Sequence, residues 1–257
     1  MTTATLDIPV TDDRRFFRNL ITAMAIILVA GFVVQLAMGR SSFGAPPIVH
    51  VHAFAFMGWV AITLTQSWLA AGRNMAMHRK LGYLAVAWSI GLLILGPLVT
   101  IASVQSSRVP FFFQPQHFLV ANPIGLLGFA SLFWAAVALR RQTDWHARLH
   151  VSAFVMLMGP GFGRLLPMPF LTPYAFEIAV LVPLIFPIIG IVRDWRVEGR
   201  PHPAWFWGIG VLLASLLLAR VIAFSPVGDT LYAAIANGSM ANADGLAFPP
   251  PPPAPPT

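Results

Sequence analysis

The chain has 257 residues, 57% of them hydrophobic and 10% charged, with a net charge of +7. A water-facing domain carries about 25% charged residues, so a soluble globule is excluded and a lipid-facing chain is expected. There is no cysteine, which excludes disulfides, iron–sulfur clusters and thiolate metal sites.

Residues 1–15 are polar and read as a frayed N-terminal segment. Apolar spans follow at 16–38, 48–71, 81–104, 118–139, 149–166, 174–192 and 204–224. Most have about the 20 residues needed to cross ~30 Å of hydrocarbon. Backbone groups in lipid must be satisfied within the segment, so the spans are expected to be helices. The predicted fold is all-α: a polytopic membrane domain over 16–225 with seven transmembrane helices. The first span is too long for a signal-peptide core and is read as a retained helix. The fifth is the shortest, and Gly159, Pro160 and Gly161 are expected to break or bend it. Residues 226–257 read as a flexible, Pro-rich extracytoplasmic tail whose final prolines favour an extended polyproline conformation.

Basic residues alternate between the loops. Arg14, Arg15, Arg18, Arg73, Arg79, Lys80, Arg140, Arg141, Arg148, Arg193, Arg196 and Arg200 fall on one side, against Arg40, Arg108, Arg164 and Arg220 on the other. Such a bias predicts an N-terminus inside and a C-terminus outside, with the chain in a bacterial inner (cytoplasmic) membrane. The basicity is therefore topological, and nucleic acid is excluded as a partner.

An internal similarity joins two turns. Residues 73–81 align without gaps on 141–149 at an offset of 68, pairing His78 with His146, and the same offset pairs Ala85 with Ala153 and Gly91 with Gly159. A duplicated helical hairpin accounts for the match. It predicts a four-helix core of spans 2–5 flanked by spans 1, 6 and 7.

Ionisable groups within a membrane are costly and mark function. His50, His52 and His117 lie at the outer ends of spans 2 and 4, and His78, His146 and His150 at the inner ends of spans 3 and 5. His50 and His52 stand about 200° apart on a helix, so only one faces the core. His52 continues into Phe56, Trp59, Thr63 and Gln66 on one stripe. Polar groups prefer the bundle interior, so His52 is expected to face inward, opposite His117. His146 and His150 share one helical face. Two layers of imidazole across four helices suit one or two b-type haems, each iron taking a histidine from two facing helices. The bland reading is interfacial: His52 and His117 on loop carbonyls, and His78 and His146 in a basic turn whose Arg148 meets lipid phosphates. His202 is expected to be solvated in its loop.

The succession of His52, His78, His117 and His150 (or His146) over four helices resembles the cytochrome b561 arrangement. In that family two transmembrane haems are held by histidines of four successive helices. The stretch with His-x-His, Phe-Met-Gly-Trp and Met-His-Arg-Lys-Leu-Gly, residues 49–82, is also similar to bacterial multi-pass proteins that repeat a His-Arg-x-Leu turn. The resemblance covers roughly residues 48–166 and implies haem ligation by His52 with His117 and by His78 with His150 or His146. The chain departs from the b561 pattern in the 26-residue spacing of His52 and His78.

Other chemistries lack their residues. Only His146-x-x-x-His150 fits a di-iron box, and the sole lysine, Lys80, lies in a loop and not in a last helix where retinal would need it. Glu177 reads as the only acid within a span, and an ion pair with Arg164 or Arg220 is expected, with a proton path or an anion site for a quinone or carboxylate as the functional alternative. The expected function is membrane electron transfer through bis-histidine haem. The alternatives are a non-catalytic accessory or assembly subunit of a larger membrane complex and a small transporter built on the broken fifth span.

Overall fold

A computed structural model describes residues 10–40, 44–236 and 244–251. The described residues form helices and no strand: α1 (Val10–Ala37), α2 (Pro47–Ala71), α3 (Met75–Gln105), α4 (Pro115–Ala138), α5 (Thr143–Met156), α6 (Gly159–Leu165), α7 (Ala175–Leu181), α8 (Ile185–Glu198), α9 (Pro203–Ala223) and α10 (Pro226–Ile235). Proline opens α2, α4, α9 and α10, where its missing N–H has no helical partner to lose. Asn74 starts α3 by accepting a bond from the Met77 N–H at 3.2 Å. A short 3-10 turn, Val182–Leu184, joins α7 to α8 in one apolar run.

Six helical runs, α1, α2, α3, α4, α7–α8 and α9, are long and apolar enough to cross a membrane, the build of a multi-pass membrane protein. The predicted fifth span is divided between α5 and α6, neither long enough alone. Pro160 has no N–H to give, and the chain crosses the break on tightened bonds: Leu157 N–H to Phe154 C=O at 3.0 Å and Met158 N–H to Val155 C=O at 3.1 Å. The two pieces nevertheless run the length of α1. At the end carrying most of the basic residues, hereafter the basic end, α5 meets α8; at the far end Gln35 in the last turn of α1 donates to the Arg164 carbonyl at 2.7 Å. Between them α1 and α6 cross so closely that a Cβ on Gly31 would lie 2.5 Å from the Gly161 carbonyl oxygen. Small residues let membrane helices pack without a hydrophobic drive between them.

Two buried clusters meet at α5. One joins Trp59 of α2, Leu92 of α3, Phe129 and Phe133 of α4, and Leu149 and Ala153 of α5. The other joins Met24 of α1, Phe154 of α5, Phe186 of α8, and Trp205 and Leu212 of α9. α5 is locked between them by charge. Arg148, fully buried, donates from Nε and Nη2 to the two oxygens of Asp194 at 2.8 Å each, and from Nη2 to Glu198 at 3.0 Å. Trp205 Nε1 donates to the same Asp194 carboxylate at 2.8 Å. Arg193 extends the set to Asp13 of α1. Arg148 therefore belongs to an internal ion pair, not to a lipid-facing turn as the sequence suggested. Asp194, just past the predicted sixth span, lies inside the α7–α8 run, so Glu177 is not the only acid there.

The far end is covered. Residues 226–235, expected within a flexible tail, form α10, and the Gln116 side chain donates to Asp229 at 2.7 Å and to the Ala223 carbonyl at 2.6 Å. Residues 244–251 return over the start of α4, where Gly245 and Leu246 carbonyls accept from the Gln116 N–H and the Gln114 side chain. The predicted frayed segment and the end of the proline run fall partly outside the described residues.

Candidate functional site

The duplicated turn places two histidines alike. His78, in the first turn of α3, sets Nδ1 3.3 Å from the Gln66 carbonyl oxygen of α2. His146, in the first turn of α5, sets Nδ1 2.8 Å from the Ala136 carbonyl oxygen of α4. Each ring thus reaches back to the helix before it in its own hairpin. A carbonyl accepts only from a protonated nitrogen, so Nδ1 carries a hydrogen in both rings, and in the neutral ring Nε2 is left with the lone pair.

The two rings come together at the basic end, with centres 6.3 Å apart and planes at 77°. His150 packs edge-on against His146 at 4.4 Å and against Phe133 at 5.5 Å. Among the described residues no set of three or more metal-binding side chains is arranged around one bare ion. Two imidazoles on opposite sides of one iron, at ~2.0 Å per metal–nitrogen bond, hold their centres about 6 Å apart. The spacing of the His78 and His146 ring centres equals that distance, and His150 fills the flank of His146. The two best-formed concavities lie elsewhere, on the outer side of α9 around Phe206 and Trp207, and between 107–111 and Pro249–Pro250, and neither borders a histidine.

The inward stripe of α2 carries unpartnered polar atoms. His52 Nδ1, Trp59 Nε1 and Gln66 Oε1 are buried without hydrogen bonds, while His50 is exposed. Trp59 sits edge-on to Phe129 and Phe133 at 5.2 and 5.0 Å. The sequence reading of this stripe as interior matches these positions.

The outer pair is not brought together. His52 stacks on Phe56 at 4.3 Å and lies within electrostatic range of Arg164. His117 turns instead to α7 and α9, between Phe176 at 4.9 Å and Phe224 at 5.8 Å. These residues do not fit a second haem. Glu177 pairs with Arg220 at 2.8 Å, and not with Arg164.

His202 is not a solvated loop residue. Its Nδ1 accepts from the Ala204 N–H at 3.2 Å to cap α9, its ring meets Trp145 at 5.2 Å, and its backbone N–H donates to Asp194 at 3.3 Å. Burial, aided by the Arg148 guanidinium, holds this imidazole below its ordinary pKa. The signal for Arg148 and Asp194 was an arginine and an acid at the same-side ends of two predicted spans. No protein-family model, curated protein or solved structure matches the chain.

Proposed function

We propose that this chain is an electron-transfer protein that crosses a bacterial inner membrane seven times, with its basic end in the cytoplasm and a single b-type haem between His78 and His146. The observation that carries the reading is the convergence of these two rings from separate hairpins, each with Nδ1 held by a carbonyl and Nε2 bare. A second-shell bond of this kind fixes tautomer and ring direction at metal sites and makes the ligating nitrogen more basic. His78 and His146 would hold the haem, which would supply one-electron exchange between ferric and ferrous iron. The protein's own part is positional. The Gln66 and Ala136 carbonyls aim the rings, His150, backed by Phe133, shields the side of His146, and the Arg148–Asp194 pair holds α5 from its opposite face. The seventh crossing is α5–α6, which spans the same ends as α1. A membrane quinone or a neighbouring subunit is the electron partner proposed.

A second reading, an accessory or assembly subunit of a larger complex, is favoured by the separation of His52 from His117. One haem near one face does not by itself make a path across the bilayer.

Absorption spectra of the purified, haem-supplemented protein test the proposal. We expect a sharpened Soret band and an α band on reduction, lost in His78→Ala and in His146→Ala, and retained in His52→Ala and His117→Ala. A colourless wild type, or unchanged spectra in the first two variants, overturns it.

A further inference from the structure

The offset of 68 carries the first residues of α2 and α3, Pro47 and Met75, onto those of α4 and α5, Pro115 and Thr143. Each position of α3 therefore has a mate on α5 or just past it. The inner faces of the two agree: Ala85 and its mate Ala153 are buried in the same cluster. The outer faces differ. On α3, Tyr83, Leu84, Ala87 and Ile90 are all exposed, Tyr83 by 78%. Their mates Val151, Ser152, Val155 and Met158 are all buried. Three later helices help to cover the second set. α8 meets it at Arg148 through Asp194, and a Cβ on Gly208 of α9 would fall on the Ser152 hydroxyl. α7 meets it at Gly159, where a Cβ would lie 3.7 Å from Val180. The mates of Arg148 and Gly159 are Lys80 and Gly91. Lys80 is exposed, with no acid paired to it among the described residues. A Cβ on Gly91 would meet nothing within 4 Å. α3 thus carries the cation, the notch and the apolar face of the covered site, without its cover.

In the equivalent place this chain uses helices and a carboxylate, and the bare face suits the same kind of occupant. Ala87 and Gly91 stand four residues apart and form a recess that lets a helix backbone approach closely. A second copy does not fit it. A symmetric contact along α3 would set Lys80 against Lys80, and like charges repel. We propose that this face of α3 receives a transmembrane helix of a different subunit, bearing an aspartate or glutamate at the depth of Lys80. The ion pair would do for α3 what Arg148 and Asp194 do for α5. No histidine takes part, so the contact stands whether or not haem is bound.

The test uses the full chain in the membrane of the cell that encodes it. The photo-crosslinker benzoylphenylalanine replaces Tyr83 or Ile90 on this face, and Ile26, exposed on α1, as a control. Positions 83 and 90 should give one protein adduct that position 26 does not. Mass spectrometry should place the crosslink in a transmembrane helix of the partner that carries an acid near its basic-end terminus. Lys80→Met should lower the adduct yield roughly tenfold, the loss expected for a charge-assisted pair. Lys80→Arg should keep it. Lys80→Glu should lose it until the partner's acid is changed to lysine. Lys80 is exposed, so these variants should unfold at the wild-type temperature, which separates loss of the partner from loss of the fold. The proposal is overturned if positions 83 and 90 give lipid adducts only, an adduct of two copies of this chain, or a protein adduct indifferent to Lys80→Met.

Discussion

Asp194 is the most heavily bonded side chain in the molecule's charged interior, taking hydrogen bonds from Arg148, Trp205 and the His202 backbone. Asp194→Ala would leave a fully buried guanidinium facing no full carboxylate neighbour but the half-exposed Glu198. A loss of about 3–5 kcal/mol is expected from breaking such a pair. It should appear as a lower unfolding temperature in detergent, and replacing both partners by apolar residues should cost far less. His202 adds a pH dependence. Its cap requires a bare Nδ1, hence a neutral ring, and the folded-state pKa lies below the unfolded value of about 6.5. The unfolded chain then binds the proton more readily, so the contribution is complete above about pH 6.5 and is lost as pH falls towards the folded pKa. His202→Asn keeps a capping oxygen without titration. Its unfolding temperature should therefore drop less than that of the wild type between pH 7 and pH 5.

Among the helices, the shared form of the two hairpins was legible from the offset that pairs His78 with His146, because a repeat fixes local geometry. Partner choice across helices was not. His117 turns away from His52 because Phe176 and Phe224 arrive from α7 and α9, and periodicity within α4 carries no trace of them. Arg148 read as a loop cation for the same reason, its acid lying 46 residues further on. The inward face of α2 was readable, since a helix displays its own polar stripe whatever it packs against. The α1–α6 crossing gives a prediction of its own. A Cβ on Gly161 would come 2.9 Å from the Leu28 Cα, so Gly161→Val must push the helices apart. About 1–3 kcal/mol should be lost, measured as earlier unfolding, with the haem spectrum proposed for His78 and His146 unchanged because those residues lie at the opposite end.

For the whole molecule, low charge and long apolar runs predict an all-helical membrane chain, and six crossing helices agree. Length alone miscounts the remaining region, since Pro160 divides what hydropathy joins. The loop-charge bias and the end-to-end course of α5–α6 together predict termini on opposite faces. A reporter active only outside the cytoplasm should work when fused after residue 236 and fail when fused before residue 10. Activity from both fusions, or from neither, would remove the seventh crossing. The division at Leu157–Gly159 has a mechanical consequence. Its upper piece is seated on α1 through Gly31 and Gln35, while its lower piece is pinned to α8 through Arg148. A tug on the first helix would load both pieces, the upper at the glycine crossing and the lower through the charge set that Asp13 joins, with the break as the point of least support between them.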